Sequence, residues 1–170
     1  MGQADNSAFA ARAFGPVVVV VWRGVMTPEA VEDVGALLHR TASRHPAGIA
    51  FVTIAGFRAP IPSAEVRQRV VEIYSELGST LTAVAQVVEG DGFWASAALC
   101  FIAGIGLLHR HTHANKVFGD VGEASEWVAS FELPGAPSAP ELHGRASALG
   151  HALDLGTLSS AIGEEAPTPG

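Results

Sequence analysis

The sequence predicts an α/β fold: a mostly parallel sheet of about five strands with four helices, in the order β-β-α-β-α-β-α-β-α. Three observations carry this expectation. Residues 17–22 read Val-Val-Val-Val-Val-Trp without alternation, as a strand covered on both faces requires. Strand-like and helix-like patterns then alternate along the chain, which favours parallel strands joined by right-handed helical crossovers. Finally, the expected helices are bracketed by capping residues and breakers.

Upstream of the valine run, residues 8–14 precede Gly15-Pro16, a turn signal, so a short strand pairs with the run as a hairpin. Thr27-Pro28-Glu29 opens the first helix: Thr27 is a cap, Pro28 suits the first helical position, and Glu29 and Glu32 favour the positive end. Val31, Val34, Leu38 and Thr41 recur at steps of three and four. The helix ends near His45-Pro46, because the residue before proline resists the helical conformation. Residues 49–54 form the next strand. A Pro-containing loop over 56–62 leads to Ser63, which is placed to cap a helix reaching Leu77 and stopped by Gly78. Residues 81–88 read as a strand, 93–108 as an apolar helix and 116–118 as a short last strand. Asp120 and Glu123 have capping-box spacing and open a final helix that buries Ala124, Trp127, Val128 and Phe131.

The composition shifts at Pro134, Pro137 and Pro140. This places the main domain at 1–133 and a Pro/Gly/Ala-rich tail at 134–170, flexible or weakly helical. Leu142, Leu149 and Leu153 have the spacing of a helix, but Gly144, Gly150 and Gly156 weaken it, so a helix here is expected only when docked.

The 170 residues are 48% hydrophobic and 16% charged, with a net charge of -7. That sign and the scatter of the basic residues disfavour nucleic acid and anionic lipid head groups. The single cysteine, Cys100, lies in apolar sequence and reads as a buried hydrophobe. The N-terminus lacks the regions of a signal peptide, so a cytoplasmic location is expected. The 17 residues of 92–108 carry no charge, at the lower limit for a membrane span. Recurring Gly and Ala dilute the segment, and a helix packed on the sheet is expected instead of stable membrane insertion.

His109, His111 and His113 alternate, so on an extended segment they share one face and could ligate a metal. The competing reading is a solvated connector at a helix C-terminus. No Gly-x-Ser-x-Gly elbow or P-loop occurs, and Gly104-x-Gly106 lacks the third glycine of a dinucleotide fingerprint. Neither an enzyme nor a cofactor is expected.

The order of elements resembles the STAS domain, in particular the SpoIIAA-like (anti-sigma-factor-antagonist-like) family. The local matches are Gly15-Pro16 with the run to Trp22, Arg23-Gly24 and Met26-Thr27-Pro28-Glu29. Toward the other end they are Val117-Phe118-Gly119-Asp120, Glu123-Ala124 and Trp127-Val128. The likeness spans about residues 8–131. It implies a non-catalytic regulatory module for protein–protein interaction in bacterial signalling. Phospho-switched members carry a serine after an aspartate at the start of the second helix. Ser63 is the matching phospho-acceptor candidate, although the aspartate is absent and capping alone accounts for a serine there. The expected partner contacts are Phe57, Arg58, Phe93 and Trp94, since aromatic and Arg side chains dominate hot spots. An exposed edge strand or the Leu-containing tail offers a route to a homodimer. The alternative function is a small-ligand or lipid-binding carrier with the apolar helix over 93–108 as one wall.

Overall fold

The computed structural model describes residues 9–56, 59–90, 113–156 and 161–164. Strands β1 (Phe9–Phe14) and β2 (Val17–Trp22) pair antiparallel as a hairpin. Its turn needs Gly15 twice over: the residue has φ +59°, and a Cβ there would run into the backbone carbonyl of Gly135. Next come α1 (Pro28–Arg44), β3 (Ile49–Ala55), α2 (Ala64–Leu77) and β4 (Leu81–Val88). After residues 91–112, which lie outside the described part, the chain forms β5 (Ala114–Phe118), α3 (Val121–Ala129), α4 (Ala139–Asp154) and β6 (Ala161–Glu164).

The sheet has six strands in the order β5-β4-β3-β2-β1-β6. The pairs β2–β3, β3–β4, β4–β5 and β1–β6 are parallel, so the sheet is mostly parallel. Val17 through Val21 are all fully buried at 0% exposure, and they alternate between two cores. Val18, Val20 and Trp22 join Phe51 and Val84 beneath α1 and α2. Val17, Val19 and Val21 join Val52, Ile54, Ala83 and Ala85 beneath α3 and α4.

Helix ends follow the capping residues. Thr27 Oγ1 accepts a bond from the Ala30 N–H at 3.2 Å, and Ser63 Oγ accepts from Val66 N–H at 3.2 Å. Asp120 Oδ1 accepts from Glu123 N–H at 3.0 Å. Gly78 ends α2 at φ +55°, where a glycine avoids the strain of a Cβ.

The structure corrects the expected strand count, and the stretch after residue 134 takes the docked helical form. Among the described residues there are six strands instead of about five, because the C-terminal stretch adds β6 alongside β1. The stretch read as a tail forms the 16-residue helix α4, with Leu142, Ala146, Leu149 and Leu153 buried against the sheet. Pro140 does not oppose it, since the first turn needs no amide donor. The Glu141 carboxylate accepts from both the backbone N–H and the hydroxyl of Ser138, at 2.8 and 2.7 Å. Gly150 serves close approach: a Cβ would lie 3.1 Å from Arg23 Nη2 and 3.9 Å from Val21 Cγ1. Four α-helices are described, but the helix expected over 93–108 lies outside the described residues.

If α4 is part of the core, Leu142→Ala will lower the free energy of unfolding by about 2–4 kcal/mol. Urea titration followed by circular dichroism measures this. A change under about 0.5 kcal/mol, the size expected for an exposed site, would mean that α4 contributes no core packing.

Candidate functional site

In open α/β sheets the carboxyl ends of the strands are where ligands find crevices. Here the register aligns Val20, Thr53, Gln86 and Val117 across β2, β3, β4 and β5. Thr53 and Gln86 thus interrupt an apolar face close to those ends. Above them α1 and α2 pack closely at Gly35, where a Cβ would lie 2.7 Å from Ile73 Cδ1.

Beside this crossing the helices leave a cavity of about 110 Å³ against the sheet. Its walls are mainly apolar: Val31 and Val34 from α1, Val66 and Val70 from α2, and Trp22 and Phe51 from the sheet. Arg67 is the one charged lining residue among those described. A second cavity of about 130 Å³ opens toward the loop at residues 59–62 and shares Trp22, Met26, Thr53, Pro62 and Gln86 with the first. The Gln86 side-chain amide donates to Asn115 Oδ1 at 3.0 Å, which fixes the floor. Ile61, in the lining of this second cavity, stands 50% exposed, and Val25, between the lining residues Gly24 and Met26, 38%.

The opposite face carries a polar counterpart. Arg23, directly after β2, donates through Nε to Asp154 Oδ1 at 2.6 Å and through Nη1 to Glu89 Oε2 at 2.8 Å. Burial works against its charge, but the bonds to Asp154 and Glu89 outweigh that cost and raise its pKa. A cavity of about 210 Å³ beside this clamp includes Ser147, Gly150 and His151 in its lining.

A second ion network joins α1 to α2. Arg69 binds Glu32 of α1 as well as Glu72 and Glu76 of its own helix, and His39 lies 2.9 Å from Glu76. The bonds from Arg69 hold the carboxyls of Glu32 and Glu76 below their usual range. On the core side of α2, Tyr74 meets Phe51 edge-on, and burial pushes its hydroxyl pKa well up.

The residues singled out in the sequence distribute unevenly. Ser63 is exposed and caps α2, two positions beyond Ile61 at the cavity mouth. Phe57, Arg58, Phe93, Trp94, His109 and His111 lie outside the described residues, as does Cys100. His113 is buried and set edge-on to Tyr74 at 5.3 Å between ring centroids, so it is no part of a solvated connector. Among the described residues no group of three His, Cys, Asp or Glu side chains is arranged to hold a metal.

Sequence reasoning missed the Thr53–Gln86–Arg67 set and the Arg23 clamp. The available signal was a polar residue interrupting each of two apolar strands, which does not reveal that the two lie side by side. No helix among the described residues is long and apolar enough to cross a membrane. No protein-family model, no curated protein and no solved structure matches the chain.

Because Glu32 and Glu76 have lowered pKa values in the folded state, the Arg69 network stabilises fully above their ordinary value and weakens as pH falls through the lowered ones. The stability advantage of the wild type over Arg69→Gln should therefore be constant above the ordinary glutamate value of 4.5 and shrink below it. Urea unfolding of both proteins between about pH 6 and pH 3 reads this directly. A pH-independent difference would contradict the assignment.

Proposed function

We propose that this chain is a non-catalytic, STAS-like regulatory module that docks a protein partner in bacterial signalling. The observation that carries the reading is the exposed Ile61 side chain in the lining of the outer cavity at the strand carboxyl ends, with Val25 exposed between the lining residues Gly24 and Met26. Large apolar side chains exposed beside an apolar crevice favour contact with another surface over solvent. The mouth lies between the segment that enters α1 and the segment that enters α2, so a partner would touch both helix starts.

Ser63 fits a switch at this surface. A phosphate there would add about -1.5 to -2 charges two residues from Ile61. It would also favour the positive end of α2. Repulsion and desolvation of the phosphate at an apolar contact would both oppose docking. A small-ligand carrier is the second reading, and the cavity beneath the rim is what favours it.

The test is photochemical cross-linking in the native host, followed by mass spectrometry. With a photoreactive residue in place of Ala59, the chain should cross-link one partner beside Ile61. Val25→Asp and Ile61→Asp should each reduce that yield about tenfold, as losing an interface anchor does, with the thermal midpoint unchanged. Undiminished cross-linking by both variants would dismiss this surface as the docking site.

A further inference from the structure

We propose that the cavity enclosed by α1, α2 and the sheet binds a medium-chain monocarboxylate. Its alkyl chain would lie among Val31, Val34, Val66 and Val70, and its carboxylate would be held by Arg67. This goes beyond partner docking, because it assigns a small-molecule site beneath the docking rim.

Three observations select this ligand class. First, the walls are mainly aliphatic and aromatic, so an alkyl chain gains by leaving water. Second, no Asp or Glu lines either cavity among the described residues, while Arg67 lines the inner one. An apolar slot whose one charged lining residue, among those described, is cationic suits an anionic head and disfavours an ammonium. The Thr53 hydroxyl and the second amide hydrogen of Gln86 are further donors on the sheet floor of the cavity, since Gln86 commits only one bond to Asn115.

Third, the size sets the chain length. An apolar cavity of about 150 Å³ holds benzene, with its six carbons. The inner cavity of about 110 Å³ and the outer one of about 130 Å³ share five lining residues. Together they accommodate a chain of roughly six to ten carbons on that scale. A sixteen-carbon acid would have to leave part of its chain in solvent.

Isothermal titration of the full chain with hexanoate, octanoate, decanoate and palmitate tests the proposal. Affinity should rise roughly fourfold per added methylene up to decanoate and then stop rising. Arg67→Gln should weaken octanoate about tenfold and leave 1-octanol within about twofold of its wild-type affinity. Val70→Phe, which fills the slot, should abolish saturable binding of both. If Val70→Phe does not fold, amide shift mapping on the wild type replaces it, with the largest octanoate-induced changes expected at Val34, Thr53 and Val66. Absence of saturable binding by any of the acids would overturn the proposal. So would equal sensitivity of octanoate and 1-octanol to Arg67→Gln, or shifts confined elsewhere. None of these readouts involves a protein partner, so the ligand site and the docking surface can fail independently.

Discussion

The complete burial of β2 on both faces is the constraint from which the rest of the architecture follows. Each of its five consecutive valines has no exposed surface. Removing such a side chain from water contributes on the order of 1.5–3 kcal/mol when burial is complete. A strand of this kind cannot sit at an edge or face solvent, so it needs neighbours on both sides and a helical layer on each face. β1 and β3 supply the neighbours, α1 and α2 one layer, and α3 and α4 the other. The C-terminal helix is therefore as integral to the core as the central strand, although its sequence is far less apolar.

The two layers are closed in different ways, and that difference places the candidate site. On the α3/α4 face, Arg23 draws the end of α4 and the residue after β4 together over the strand ends, through Asp154 and Glu89. Gly150 lets the helix come close enough for this contact. On the other face, the meeting of Gly35 with Ile73 brings the helices together beside an open cavity, and the charged contacts of Arg69 tie them on the outside. One face of the sheet is thus clamped at the strand ends by ions, whereas the other retains an apolar opening there.

The first turns of α2 connect the three features proposed to carry function. Ile61 lies just before the helix, Ser63 caps it, and Arg67 lies one turn further on, lining the cavity. A change at the cap, a ligand held at Arg67 and a partner resting on Ile61 would all act on the same few residues. Cap bonds, helix dipoles and side-chain packing are local in range. Such short distances are sufficient for the occupants of the site to influence one another.

The chain order of elements through β4 was legible in the sequence because its causes are local. A β-branched run, a Thr-Pro-Glu start, a Ser cap and a Gly stop act within a few residues, and those elements begin and end where these signals place them. What the sequence left undecided was the outcome of long-range contacts. Gly144, Gly150 and Pro140 lower helix propensity when read alone, yet α4 forms because Leu142, Ala146, Leu149 and Leu153 find the uncovered face of β2. β6 has too few residues to be distinguished from a loop, and it is a strand because β1 offers it an unpaired edge. The site follows the same rule. Thr53 and Gln86 are 33 positions apart in the chain, and Arg23 and Asp154 are 131 apart. Sheet register and helix docking bring each pair together, and no local pattern of residues encodes either of those.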